Sequence, residues 1–267
     1  MEHKIPKTLH YVWVGGGKFT ELMTECMASW KVYCPEYEII EWNESNFDID
    51  GNSWVKKAIE EKNWALASDI MRAWILYEHG GIYIDTDVEI LKPLDEFLQY
   101  EFFMGYESKH WVNTAIIGSI KGHKVPRLCK ERYEFTKPAI DAYTNLLAVH
   151  AYSTVMQTEY GIKPSGKLTY ADDGIALYPK DYFYPQHYLT HKIKITDNSH
   201  TIHRCSCSWH SKGQARAFKF IRFARRIIGR PIFGFFEGMT ARRYRKTLRK
   251  EFREIEQRKQ KAKLEVL

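Results

Sequence analysis

Apolar and polar positions alternate along the first 120 residues in a strand–helix rhythm. Ile5 to Val14 is apolar and β-branched and runs into Gly15-Gly16-Gly17, the pattern of a strand entering a tight turn. Glu21 to Tyr33 predicts a helix stopped at Pro35, and Tyr37 to Trp42 a short strand. Ser53 is the expected cap of a helix running through Glu61. From Ala65 to His79, Ile70, Ala73, Trp74 and Tyr77 recur at helical spacing, and Gly80-Gly81 ends the run. Ile82 to Asp85 predicts a buried strand, followed by Val88 to Leu91, Phe102 to Tyr106 and Thr114 to Gly118. Residues 126–160 read as mostly helical and 161–211 as irregular; 214–229 and 240–263 read as two basic helices around Pro231. The alternation predicts an α/β fold with a largely parallel sheet.

Charge divides the chain. Residues 212–267 hold 18 Lys and Arg against 5 Asp and Glu, a net of +13, whereas the remaining residues hold 22 against 28, a net of −6. The expected organisation is therefore a body over 1–211 and a basic helical tail over 212–267. In the tail, Phe218, Phe220, Ile221, Phe223, Ile227 and Ile228 interleave with Lys219, Arg222, Arg225 and Arg226. Such a segment suits an anionic membrane surface, and equally an apolar face laid on the body. No nucleic-acid motif accompanies the charge, so nucleic acid is not an expected partner. The five cysteines are odd in number and irregularly spaced, which argues against a disulfide framework, and Cys205-Ser206-Cys207 lacks the second pair of a structural zinc site. Neither a signal-peptide stretch nor a run of about 20 apolar residues is present in the sequence, and a cytoplasmic protein is the expectation.

Candidate chemistry concentrates in Gly80-Gly81-Ile82-Tyr83-Ile84-Asp85-Thr86-Asp87. Residues two apart on a strand point the same way, so Asp85 and Asp87 are paired carboxylates at a strand's carboxyl end, where open α/β sheets place ligands. Two such groups repel unless a cation or proton lies between them, and oxygen ligands favour a hard ion, Mg²⁺ or Mn²⁺. A solvated turn is the plainer reading of a D-x-D by itself. Asp69 and Arg72, three apart, share one helix face, where an ordinary surface ion pair is the plain reading. Trp13 beside the glycines, Gly15 among them, is a base-stacking platform or a core residue. Tyr83 faces the same pocket as Asp85 or packs in the core.

At these residues the chain resembles glycosyltransferase family 32, the D-x-D sugar transferases that include yeast-type initiating mannosyltransferases and bacterial capsule enzymes. It is more distantly similar to the clostridial glucosylating toxins. The resemblance runs over roughly residues 5–210. It is carried by Ile5–Gly16, Ser29-Trp30, Pro35-Glu36-Tyr37 with Glu41-Trp42-Asn43, Ala67–Arg72, Leu76-Tyr77, the Gly80–Asp87 block, His203 and Ser208-Trp209. It implies a GT-A fold, a Rossmann-like nucleotide-sugar domain, and a retaining reaction with a UDP- or GDP-linked donor and Mn²⁺ (or Mg²⁺). It implies Asp85 and Asp87 on the metal, with Asp85 also reaching the ribose, and Asp69 and Arg72 on the donor sugar. It further implies Asn113 lining the donor pocket, Ser208 and Trp209 closing over it, and His203 completing the metal shell, with His210 a competing ligand. Asp172 and Asp173 lie in the irregular region that should border the acceptor, or equally in a solvated loop, and are not expected to be catalytic. The expected function is transfer to a lipid-linked saccharide in bacterial surface polysaccharide synthesis, by an enzyme peripheral on the inner face of the cell membrane. A toxin-like protein glycosyltransferase and a non-enzymatic nucleic-acid or membrane-binding module are the alternatives.

Overall fold

The computed structural model describes residues 2–136, 148–163, 165–187, 190–205 and 230–264. β1 (Thr8–Val12), α1 (Glu21–Tyr33), β2 (Glu38–Trp42), α2 (Ser53–Glu60), α3 (Trp64–His79) and β3 (Gly81–Ile84) follow the predicted order. Asparagines, rather than the expected Ser53, start two of these helices. Asn52 Oδ1 accepts from the Val55 N–H at 3.0 Å and Asn63 Oδ1 from the Leu66 N–H at 3.2 Å. Ser53 is the first residue inside α2, where its hydroxyl cannot meet the orphan donors a cap serves.

The remaining elements are β4 (Val88–Ile90), β5 (Phe102–Tyr106), β6 (Val112–Ser119), α4 (Lys124–Glu134), α5 (Ala148–Glu159), β7 (Thr169–Ala171), β8 (Ile175–Tyr178), α6 (Lys180–Phe183), β9 (Thr201–His203) and α7 (Arg230–Leu264). The described residues between 161 and 205 thus hold more regular structure than their mixed Tyr, Pro, Asp and His content predicts. β8 has only four residues, Ile-Ala-Leu-Tyr, all buried, too few to establish a period from sequence.

Seven strands form one sheet in the order β2-β1-β3-β6-β5-β8-β7, and β4 pairs separately with β9. The pairings β2–β1, β1–β3 and β5–β8 are parallel; β3–β6, β6–β5 and β8–β7 are antiparallel. Buried apolar side chains form two clusters, one centred on α3, α4 and α5 and the other on α1, β4 and Phe97. Strands buried from both sides explain why Ile82, Tyr83 and Ile84 read as continuously apolar.

Gly81 shows why a glycine pair separates α3 from β3. Its φ is +86°, and a Cβ there would lie 2.8 Å from His10 Nε2 and 2.9 Å from the Thr8 carbonyl oxygen. Only glycine allows both the left-handed turn and the close approach to β1.

The predicted helix 214–229 lies outside the described residues. The 240–263 helix is part of α7, which begins at Arg230 and carries Pro231 in its first turn, where the missing N–H is tolerated. Leu248 and Ile255 of α7 are buried. Glu251 pairs with Arg132 at 3.2 Å, Lys259 with Glu131 at 2.9 Å, and the Tyr244 ring stacks on His150 at 4.4 Å. This part of the basic segment packs on α4 and α5. Leu248→Ala is expected to lower the unfolding free energy by roughly 2–5 kcal/mol, the usual loss for a buried leucine. Chemical denaturation checks this; an unchanged midpoint would show that the packing contributes nothing.

Candidate active site

β1 and β3 run parallel, so their carboxyl ends share one edge of the sheet; antiparallel β6 brings its first residues to the same edge. α3 leads back into β3 and therefore presents its amino-terminal half, Ser68 to Arg72, there. β9 completes the assembly, its register setting His203 opposite Val88. Four segments distant in sequence thus meet around Asp85 and Asp87.

The D-x-D turn is fixed by its backbone. The Asp85 N–H donates to the Ala115 carbonyl at 2.8 Å, and the Val88 N–H to the Asp85 carbonyl at 3.0 Å. The Arg204 N–H donates to the Asp87 carbonyl at 2.9 Å. Tyr83, two residues before Asp85 and on its face of the strand, donates its hydroxyl to Asp85 Oδ1 at 2.8 Å. The Tyr83 ring is buried in the core while its hydroxyl positions the Asp85 carboxylate.

Arg72 is the centre of the charged cluster. Its Nη2 lies 2.9 Å from Asp69 Oδ1 and 3.4 Å from Asp85 Oδ1, and Nη1 donates to the Thr114 carbonyl at 2.6 Å. Nε donates to the Ser68 carbonyl at 3.3 Å, and the guanidinium lies 4.4 Å from the Tyr83 ring centre. Asp69 Oδ2 accepts from the Ala148 N–H at 2.9 Å. The Asp69–Arg72 pair is therefore buried, not a surface ion pair. Burial pushes the Asp85 carboxyl above the ordinary carboxylate range, against the opposing pull of Arg72. Burial also disfavours the Arg72 cation, but the negative groups around it outweigh that and raise its pKa.

Asp85, Asp87 and His203 each offer one ligand atom, all within 4.8 Å of one another. His203 Nε2 lies 3.3 Å from Asp87 Oδ1. Burial opposes the imidazolium, and the Asp87 carboxylate more than reverses this, so the His203 pKa rises well above its ordinary value. His203 Nδ1 is buried with no hydrogen-bond partner among the described residues. Two carboxylates and an imidazole whose Nε2 faces Asp87 fit a divalent cation.

The other sequence candidates divide. Trp13 lies just past β1; its Nε1 donates to the Gly17 carbonyl at 2.8 Å and its ring packs 4.3 Å from Phe19. Gly15 donates its N–H to Glu44 Oε1 at 2.6 Å, and a Cβ there would meet the Trp64 ring at 2.7 Å. Asn113 is buried on β6; its Oδ1 accepts from the Ala115 N–H at 2.7 Å and its Nδ2 donates to Glu107. Ser208, Trp209 and His210 lie outside the described residues. Asp172 and Asp173, expected beside the acceptor, occupy the β7–β8 turn at the opposite edge of the sheet, where Asp173 accepts from the Tyr160 hydroxyl. β8 runs parallel to β5 and puts its start at that far edge.

Sequence reading missed Glu107 and Lys180, and gave Ser68, inside the Ala67–Arg72 block, no role. Lys180 Nζ donates to Glu107 Oε1 at 2.9 Å, which extends the Asn113 contact to a cation on α6. Only the topology joins Asn113, Glu107 and Lys180; Ser68, whose hydroxyl accepts from Arg72, lies one turn before it on α3.

Residues 20–104 match the family described as the glycosyltransferase sugar-binding region containing a DXD motif. Inositol phosphoceramide mannosyltransferase 3 of Schizosaccharomyces pombe is 28% identical over 126 residues, covering 45% of this chain and 34% of that protein. Human alpha-1,4-N-acetylglucosaminyltransferase is 32% identical over 84 residues, 30% of this chain and 24% of that protein. The chain spans about a third or less of the length of these curated relatives. Among solved structures, the PaToxG glycosyltransferase aligns with a TM-score of 0.48 at 15% identity, over 58% of this chain and 69% of that one. The match over residues 20–104, which spans the elements from α1 to β5, is in keeping with the resemblance drawn from the sequence. The α/β architecture expected with it, a sheet whose β3 strand opens directly into the D-x-D turn, is the one the chain adopts.

Proposed function

We infer that this chain, whose residues 20–104 form a glycosyltransferase sugar-binding region with a DXD motif, transfers a sugar from a nucleotide-sugar donor with the help of a divalent cation. The observation that carries the reading is the convergence of Asp85, Asp87 and His203 beside the buried Asp69–Arg72 pair. Asp85, Asp87 and His203 would hold the metal, which would supply positive charge to the departing diphosphate. Arg72, kept cationic by its neighbours, adds fixed positive charge at the same edge. Asp69 accepts hydroxyl protons of the donor sugar, while Arg72 and the Ala148 N–H hold its carboxylate in one orientation. Trp13 and Gly15 border the base, Tyr83 orients Asp85, and Asn113 lines the donor pocket, while the roles the family resemblance gives Ser208 and Trp209 concern residues outside the described ones.

The finer reading is a retaining hexosyltransferase using a UDP- or GDP-linked donor with Mn²⁺ (or Mg²⁺). Its acceptor is a lipid-linked saccharide of bacterial surface polysaccharide, met at the inner face of the membrane by a peripheral enzyme whose basic 212–267 segment attracts anionic lipid. A lipid acceptor is supported by the ceramide-glycosylating name of the S. pombe relative. No helix among the described residues is long and apolar enough to cross a membrane, so contact through a surface is the form proposed.

A panel of UDP- and GDP-sugars incubated with Mn²⁺ tests the reading. Hydrolysis or transfer of at least one donor is expected, abolished by chelator and restored by Mn²⁺. Turnover indifferent to chelator would refute the metal role. No turnover of any donor, with no saccharide acceptor accelerating it, would favour a non-enzymatic binding module.

A further inference from the structure

A short hairpin stands beside the site and is used by none of the chemistry above. Gln186 bridges Ile193 in antiparallel fashion, the His187 N–H donates to the Lys192 carbonyl at 2.9 Å, and the Lys194 N–H to the Pro185 carbonyl at 3.1 Å. Its returning limb reads Lys192-Ile193-Lys194-Ile195, and no acidic residue occurs between Asp181 and Asp197. Ile193 is 43% exposed and Ile195 58%, while both lysines are exposed and have no ion-pair partner among the described residues. An extended limb alternates its sides, so the two isoleucines share one side and the lysines the other.

The hairpin is tied to the metal centre. Buried Gln186 donates from Nε2 to the Arg204 carbonyl at 2.9 Å, and the Arg204 N–H donates to the Asp87 carbonyl. Beyond the limb, Lys92 Nζ donates to the Asp197 carbonyl and Thr196 Oγ1 to Asp181 at 3.1 Å. The exposed apolar limb is thus held from both ends, at a fixed offset from Asp87 and His203.

We propose that the Lys192–Ile195 limb is a membrane-docking edge that seats Ile193 and Ile195 in the headgroup boundary of an anionic bilayer, with Lys192 and Lys194 on lipid phosphates. Charge and size both select this occupant. A four-residue limb is too small for the roughly 1,200–2,000 Å² of a stable protein interface. It suits the shallow insertion of about 5–10 Å that interfacial anchors make, and lysine stems let apolar neighbours sink while the ammonium stays in water. Docking here would set the donor site against the surface that displays a lipid-borne acceptor. The docking edge does not depend on the transferase reading, because the lipid contact needs no donor.

Cosedimentation of the full chain with phosphatidylcholine vesicles, with and without phosphatidylglycerol, tests it. The unaltered protein is expected to bind the phosphatidylglycerol vesicles, less at high salt. Ile193→Ser with Ile195→Ser should weaken binding roughly tenfold, and Lys192→Gln with Lys194→Gln should reduce the preference for anionic lipid. Both double variants should keep the unaltered protein's melting temperature and soluble donor hydrolysis, because the substituted side chains are exposed and outside the site. Failure of the unaltered protein to sediment with anionic vesicles would overturn the proposal. So would unchanged binding by the folded isoleucine variant, which would locate the lipid contact in 212–267 instead. Loss of binding by the isoleucine variant only when an acidic protein replaces the vesicles would equally overturn it.

Discussion

Asp87→Asn is expected to abolish metal-dependent transfer and leave the fold intact. The substitution keeps the shape of the side chain and one oxygen but removes the negative charge from one of two carboxylates facing His203. The backbone of the turn does not depend on that charge, since the Arg204 N–H bonds the Asp87 carbonyl and the Val88 N–H the Asp85 carbonyl. Positive charge on a leaving diphosphate is worth several kcal/mol to a transfer reaction. A loss of roughly 10³-fold or more in turnover is expected. Steady-state rates against Mn²⁺ concentration, with circular dichroism melts beside them, separate loss of metal from loss of fold. Full activity of the variant in chelator would remove Asp87 from any metal role.

The parts of the fold that sequence exposes are those whose local pattern and tertiary role agree. The run from Ala65 to Asp85 is one: helical spacing, a glycine pair and an apolar strand each have a single local solution, and α3–β3 is that solution. Trp13 sits at the end of β1 and Tyr83 faces Asp85 for the same reason. What sequence hides is pairing between distant segments. Nothing local to Thr114 announces that its carbonyl receives Arg72, nothing near Glu107 that it joins Asn113 to Lys180. His203 was found only through the family resemblance; the register of β9 on β4 supplies the physical cause of its position. The strand β8 is hidden by its brevity, and without its direction the sequence does not say at which edge of the sheet Asp172 and Asp173 lie.

The basic segment allows two readings from its sequence, a membrane surface or an apolar face laid on the body, and its described part takes the second: α7 lays Leu248 and Ile255 on the body and pairs Glu251 with Arg132 and Lys259 with Glu131. α5, against which α7 packs, begins at Ala148, whose N–H holds Asp69. The order of α7 and the orientation of the Asp69 carboxylate are therefore connected through one helix.

Arg72→Met is expected to destabilise the protein as well as inactivate it, which distinguishes this position from Asp87. The guanidinium serves Asp69, Asp85 and the Thr114 carbonyl together, and only a planar fork with several donors reaches all three. Methionine fills much of the volume but leaves two largely buried carboxylates without their counter-charge. Breaking a buried pair in this way costs about 3–5 kcal/mol. At ~2–4 °C per kcal/mol for a chain of this size, the melting temperature should fall by roughly 6–20 °C. Arg72→Lys keeps the charge but concentrates it at one ammonium, which can meet one or two of the three acceptors. It should melt between the unaltered protein and the methionine variant while losing most of its turnover. Differential scanning calorimetry of the three proteins, read beside their donor hydrolysis rates, checks both halves. A methionine variant as stable as the unaltered protein would show that Asp69 and Asp85 do not need the cation between them, and the electrostatic account of the site would fail.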